Sequence, residues 1–124
     1  MPALVPILVS VFLIAVSVMQ SPPSAAQAPA RYVAGVADLP LMPGLTERPE
    51  DGLVFDKPGG RIVEAFATGP LTWQEVRDFY ESTLPQLGWK PDRGGGYLRE
   101  GERLQLSATE APGAVTVKFR LFPQ

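Results

Sequence analysis

The feature that most constrains the fold of this chain is a pair of alternating apolar segments, residues 102–108 and 115–121, separated by the turn sequence APGA. From Leu104 in the first segment and from Val115 in the second, an apolar residue stands at every second position, which is the period of a β-strand with one buried face. If the turn closes symmetrically, Leu106 pairs with Phe119 and the large apolar side chains of both strands fall on one face. A shift of one residue would move the apolar set of one strand to the opposite face. The pattern therefore predicts an antiparallel hairpin in this register.

A second two-residue turn signal, Glu-Gly, joins residues 97–99 to the first of these strands. Closing this turn pairs Tyr97 with Leu104 on the same apolar face, and we expect Arg99 to form an ion pair with Glu102. The same registers predict further cross-strand pairs: Leu104 with Leu121 and Ala108 with Val117 on the apolar face, and Gln105 with Arg120, Ser107 with Lys118 and Thr109 with Thr116 on the polar face.

Two more strands are predicted at residues 53–56 and 61–68, joined by a turn with the sequence KPGG. In the second of them, small or branched side chains alternate with Ile62, Glu64 and Phe66. If the small face packs under a helix, Glu64 lies between two large apolar groups on the other face. There it is either solvated or paired with a cation, or it is a functional carboxylate.

One helix is predicted to start at Thr72, because Thr72 and Glu75 have the spacing of a capping box. Apolar or small residues then recur at helical spacing and form a single stripe. Gly88 is placed to end the helix in the left-handed conformation, and Pro85 is expected to end its regular part early. With the strands, this gives the order ββαβββ. The predicted fold class is α+β, with a single mainly antiparallel sheet of about five strands and one amphipathic helix on one face.

The first part of the chain has the pattern of a targeting segment rather than that of a folded domain. Residues 3–19 contain no charged side chain, and small residues suited to signal peptidase follow the prolines at 22 and 23. We expect residues 1–26 to be a signal peptide cleaved after Ala26, or an uncleaved membrane anchor. Either alternative exports the rest of the chain, as a soluble periplasmic protein or as one anchored in the inner membrane. Residues 27–37 are predicted to be a linker, and residues 38–124 a small α+β domain.

The segment 39–45 is unusually apolar for a loop. Its large side chains either lie across the core of the domain or form an exposed docking segment, because apolar surface on a soluble domain tends to mark an interface. The residues concerned are Leu39, Leu41, Met42 and Leu45.

The residue types that are missing exclude several kinds of chemistry. The chain has no cysteine and no histidine, so it lacks a thiol nucleophile, a thiolate zinc site and any Ser-His-Asp arrangement. A formal net charge of −2 argues against a nucleic-acid partner. The glycines at 94–96 are followed by a strand pattern, unlike those of a phosphate-binding loop. The sequence therefore predicts a protein that is not an enzyme and has no cofactor and no metal.

The end of the helix carries a motif, FYxxxLPxxGW, that starts at Phe79 and ends at Trp89, and a β-meander follows it. This arrangement resembles short exported bacterial proteins of unassigned function. The resemblance covers about residues 71–121. Its motif residues form the helix stripe, the helix stop and the hairpin turn, so it implies a fold and a compartment but no activity.

Two functions fit these predictions. The first is a non-enzymatic accessory module of the cell envelope that binds another envelope protein, with edge-strand addition as the simplest route. The alternative is a small-ligand-binding protein with a cleft between the helix, the 39–45 loop and the sheet. A membrane contact is expected only if residues 1–26 are retained. The predicted partner or ligand contacts are Leu39, Leu41, Met42, Leu45, Glu64 and Arg120.

Overall fold

A computed structural model of the chain describes Ala3 and residues 31–124. One antiparallel sheet and one helix make up an α+β fold. The strands are β1 (Thr46–Glu47), β2 (Leu53–Lys57), β3 (Gly60–Gly69), β4 (Lys90–Pro91), β5 (Tyr97–Arg99), β6 (Glu102–Ala111) and β7 (Ala114–Pro123), and the helix α1 is Trp73–Thr83. Across the sheet the order is β1-β3-β7-β6-β5-β4, and β2 pairs with β3 beside β1.

The prediction of five strands in the order ββαβββ is wrong, because the described residues form seven strands. The two additional strands, β1 and β4, contain two residues each. A two-residue strand has no sequence period. It forms because a loop that crosses the sheet edge makes two ladder pairs there, so only the tertiary structure determines it.

The registers predicted for the meander are confirmed. Tyr97 pairs with Leu104, and Leu106 pairs with Phe119. The pairs predicted on the polar face of β6 and β7 are also present. As a result, alternate residues of β7 are buried against the helix while those between them face the opposite side of the sheet. We refer to that opposite side as the open face.

The helix begins and ends as predicted. Thr72 Oγ1 accepts a hydrogen bond from the Glu75 amide, and the Glu75 carboxylate accepts one from the Thr72 amide. At Thr83 the α-helix gives way to one turn of 3₁₀ helix that contains Pro85, and Gly88 follows with φ 89°. The Trp89 amide donates to the Leu84 carbonyl and closes the helix end.

The domain starts earlier than predicted. Residues 31–37 were expected to be a linker, but Val33 and Val36 are buried in the core, and Tyr32 forms a β-bridge with Pro40. The two valines belong to the same buried cluster as residues of the helix and the sheet, and the Gly-containing and Pro-flanked local sequence does not indicate this. Residues 1–26, the predicted signal peptide or anchor, and residues 27–30 are outside the described residues, with the exception of Ala3.

The 39–45 segment belongs to the core. Leu39, Leu41 and Leu45 are buried, and Met42 packs against them. This agrees with the first of the two interpretations and leaves no exposed docking segment there. In the part of the chain that the structure describes, no helix has both the length and the apolar character needed to cross a bilayer.

Candidate functional site

The sheet has a free edge along most of β6. Strand β5 pairs only with residues 102–104 of β6, so residues 105–111 have β7 on one side and, among the described residues, no strand on the other. β5 cannot continue along this edge because Gly96, with φ 82°, turns the chain away directly before Tyr97.

The main-chain groups at this edge alternate in direction. The two-residue turn between β5 and β6 directs the amide and carbonyl of Leu104 toward β5. By the period of two along a strand, every second residue beyond Leu104 faces the same, unoccupied side. These residues are Leu106, Ala108 and Glu110.

A concavity of about 170 Å³ lies on the helix side of the free edge. Helix α1 contributes one of its sides to it, and the sheet contributes Tyr97 and Leu106. Three of the helical residues follow one another at intervals of four, and the fourth precedes the last of them directly, so they share one side of the helix. They are Trp73, Arg77, Tyr80 and Glu81. The wall is therefore aromatic in the middle, with one cation and one carboxylate beside it.

A second concavity, of about 350 Å³, lies at the same edge and reaches the open face. Gln105, Ser107, Lys118 and Arg120 line it with polar and cationic groups, and Gly96 and Leu106 line both concavities. The free main chain of β6 thus has a mainly aromatic hollow on one face and a cationic hollow on the other.

Glu64 lies next to the cationic hollow and balances only part of its charge. One of its carboxylate oxygens is 3.2 Å from Lys118 Nζ and 3.6 Å from Arg120 Nε. Both cations also lie over aromatic rings of the open face, Lys118 over Phe66 and Arg120 over Phe122. Two positive charges and one negative charge in this cluster leave a positive excess that favours an acidic ligand group.

The loop at the end of the free edge is held in place by Arg103. Its guanidinium donates to the Asp92 carboxylate at 2.7 Å and to the Gly95 carbonyl at 3.0 Å. These contacts hold the pKa of Asp92 below its usual range, chiefly through the hydrogen bond from Arg103. The glycine segment 94–96 therefore lies in a turn that these contacts hold in place, and a hydrogen bond from the Asp92 amide to the Gly96 carbonyl closes the turn. A side chain at Gly96 would place its Cβ 2.6 Å from the Leu104 carbonyl oxygen, so only glycine fits there.

Tyr97 supplies the aromatic group from the sheet. Partial burial raises the pKa of its hydroxyl, and the negative charge of Glu81 raises it further. The phenol is therefore neutral at physiological pH and offers a neutral hydroxyl beside Glu81.

The predicted site residues fall into two groups. Glu64 and Arg120 come together on the open face, in the ion-pair arrangement that was one of the alternatives for Glu64. Leu39, Leu41 and Leu45 fill the space in which the ligand cleft between the helix, the 39–45 loop and the sheet was expected, with Met42 half-buried beside them. The concavity between helix and sheet lies instead on the β6 side of α1.

The ion pair predicted between Arg99 and Glu102 is wrong. The Arg99 guanidinium binds both carboxylate oxygens of Asp38, at 2.9 and 3.0 Å, and the Leu87 carbonyl, although Arg99 and Glu102 are partners in the strand register. Asp38 lies 61 positions away in the chain, and no local pattern reveals such a partner.

Sequence reasoning missed most of the aromatic hollow. Trp73 and Arg77 lie off the main apolar stripe of α1 and have the spacing of one helical turn, which was the available signal. Lys118 and Ser107 were predicted as a cross-strand pair on the polar face, without a role. Among the described residues no group of three or more acidic side chains is arranged to hold a metal ion.

Comparisons of the chain with protein-family models, with curated proteins and with solved structures found no match.

Proposed function

We propose that this chain is an exported, non-enzymatic module of the cell envelope that binds an extended segment of another envelope protein at the free edge of β6. The uncharged run at residues 3–19 and the resemblance of the helix end to short exported bacterial proteins support the compartment. One observation carries the binding mode: the unpaired edge of β6 has a concavity on each face of the sheet.

A segment added as a strand at this edge gains main-chain hydrogen bonds from Leu106, Ala108 and Glu110. Its successive side chains point to opposite faces, because the period of a strand is two. One set enters the hollow lined by Trp73 and Tyr97, and the other set enters the hollow lined by Lys118 and Arg120.

The lining selects the character of each set of side chains. The aromatic hollow favours apolar side chains, which bury surface against the rings. The cationic hollow has an excess positive charge beside Glu64 and favours carboxylates. A segment in which apolar and acidic residues alternate is therefore the best fit.

The probe for this proposal is a short synthetic peptide in which glutamate alternates with valine, compared with glutamine and lysine versions of it. Binding is followed by NMR on the chain expressed from its full-length sequence. We expect the amide signals of residues 105–111 to shift, those of Leu106 and Ala108 to become protected from exchange, and the glutamate peptide to bind tightest.

Two proline variants test the role of the main chain. Ala108→Pro removes an amide that faces the free edge of β6, and we expect it to weaken binding at least about tenfold. Val54→Pro makes the same kind of change in β2, the outer strand on the opposite side of the sheet, and should leave binding within about twofold. Binding that survives Ala108→Pro, or no binding by any of the three peptides, would overturn the proposal.

A further inference from the structure

The outermost strand on the other side of the sheet, β2, is exposed and apolar. Leu53, Val54 and Phe55 are 52%, 60% and 52% exposed and are consecutive. β2 pairs with β3 on one side only, and its other side meets no strand among residues 31–124. A flat, apolar, unpaired edge strand is a template for pairing with another strand, and natural proteins cover or charge such edges.

We propose that β2 pairs with β2 of a second copy of this chain, antiparallel and about a two-fold axis through Val54. This interface is separate from the free edge of β6 and does not depend on the peptide-binding proposal.

The direction of the main chain allows this pairing. A two-residue turn connects Lys57 to Gly60, so the main-chain groups of Lys57, Phe55 and Leu53 face β3. Those of Val54 and Asp56 consequently face outward. Two copies related by a two-fold axis at Val54 exchange main-chain hydrogen bonds there, and the sheets of both copies become continuous.

The side chains select Val54 as the centre. In this register Phe55 faces Leu53 of the other copy, Val54 faces Val54, and Lys57 comes opposite Asp51, which gives two oppositely charged pairs across the dimer. Such cross-strand pairs stabilise a sheet. Gly52 is extended, with φ −75° and ψ 156°, whereas Asp51 is the last residue of a 3₁₀ turn (Pro49–Asp51) and forms an ion pair of 2.9 Å with Arg48. The pair of Lys57 with Asp51 is therefore a side-chain contact at the end of the ladder, and no main-chain pair is formed there.

The neighbouring registers are less favourable. A centre at Phe55 would place the apolar Val54 and Leu53 opposite Asp56 and Lys57. A centre at Leu53 would place Asp56 opposite Glu50, two like charges, which destabilises a sheet. Of these three registers, only the one centred at Val54 places apolar side chains opposite apolar side chains and cations opposite carboxylates.

One pair of short strands is a small interface, so we expect a weak dimer with a dissociation constant in the micromolar range. The test is sedimentation equilibrium of the chain, expressed from its full-length sequence, between about 1 and 500 µM. Val54→Lys places two ammonium groups against each other at the axis and should shift the chain to monomer. We expect the dissociation constant of the dimer to rise at least about tenfold. Val54→Thr retains a β-branched side chain at the same exposed position and should remain within about threefold of the unmodified chain.

A charge exchange tests the register independently of folding. Lys57→Asp brings like charges together and should weaken dimerisation several-fold, and combining it with Asp51→Lys should restore it. The circular dichroism spectra of all variants should match, because residues 51–57 are exposed.

Three results would overturn the proposal. They are a monomer at about 500 µM, a dimer that is indifferent to Val54→Lys, and a double variant that is no stronger than Lys57→Asp alone. A monomer whose Val54 amide is nevertheless protected from exchange would place residues 1–30 of the same chain on this edge instead. Because Ala108→Pro should leave the dimer intact, a failure here can be told apart from a failure at β6.

Discussion

The hydroxyl of Tyr80 donates a hydrogen bond of 2.8 Å to the carbonyl oxygen of Pro40. The Tyr80 hydroxyl oxygen in turn accepts a hydrogen bond of 3.1 Å from the Met42 amide. Tyr80 also packs edge-to-face on Phe119 of β7. One residue of α1 thus joins the helix to the 39–45 segment and to the centre of the sheet.

Replacing Tyr80 with phenylalanine should destabilise the fold by about 1–2 kcal/mol, since the Pro40 carbonyl and the Met42 amide lose their partner in a largely buried place. Denaturant unfolding measures the change. Tyr97→Phe is the control and should stay within about 0.5 kcal/mol, because the Tyr97 hydroxyl has no hydrogen-bond partner among the described residues. Equal effects of the two changes would contradict this role of Tyr80.

Stability should fall at alkaline pH because of the same hydroxyl. Burial raises the pKa of Tyr80 to about 12 from an ordinary value of 10.0. Between these values the unfolded chain has lost the proton and the folded chain retains it, so the stabilisation is complete below pH 10 and is lost as the pH rises toward 12. The total loss is roughly 3 kcal/mol. Unfolding free energies of the unmodified chain and of Tyr80→Phe should therefore converge above pH 10; parallel curves would show that Tyr80 is not the titrating group.

Arg99 joins Asp38, near the start of the domain, to the hairpin of β5 and β6. Its two terminal nitrogens donate to the two carboxylate oxygens of Asp38, and the guanidinium carbon lies 4.3 Å from the centre of the Trp89 ring. Arg99→Lys keeps the charge but loses the bidentate geometry. We therefore expect the free energy of unfolding, measured by heat or denaturant, to fall by about 1–2 kcal/mol. Arg93→Lys, at an exposed position, is the matched control and should change stability by less than about 0.5 kcal/mol.

Arg103 should matter more for binding than for stability. Arg103→Gln releases the Asp92 carboxylate and the Gly95 carbonyl, so amide exchange of residues 93–96 should accelerate and the glutamate–valine peptide should bind several-fold more weakly. Arg103 also lowers the pKa of Asp92, so the contact is complete at neutral pH and is lost as the pH falls below the ordinary range of an aspartate. If exchange of the loop were equal in both proteins, the pinning by Arg103 would be refuted.

Leu39 should behave as a core residue rather than as a docking residue. It is fully buried, and Leu39→Ala should cost about 2–4 kcal/mol through lost contacts and the cavity left behind. Leu53→Ala removes the same side chain from an exposed position and should cost less than about 1 kcal/mol in the monomer. A small effect of Leu39→Ala on unfolding would contradict the place of the 39–45 segment in the core.

Local sequence patterns were sufficient to predict the structure wherever neighbours in the sequence are also neighbours in space. The capping box at Thr72, the helix stop at Gly88 and the registers that pair Leu106 with Phe119 depend on contacts across one helical turn or one hairpin. Such contacts have a fixed spacing, and the residue types show it directly.

The candidate site could be predicted only in fragments. Glu64 and Arg120 were each predicted as a possible contact, but not as partners of one another, and the free edge of β6 results from where β5 begins. That boundary is set by Gly96, whose φ of 82° turns the chain away from the edge, and no periodicity encodes it.

The sequence alone determined the helix, the two main hairpins and which face of each strand is apolar, because a strand or helix period acts over a few residues. The tertiary structure decided that residues 31–45 close the core, that Arg99 holds Asp38 rather than Glu102, and that β2 and β6 present free edges. These features depend on contacts between residues far apart in the chain, where the partner is chosen by packing and charge in three dimensions.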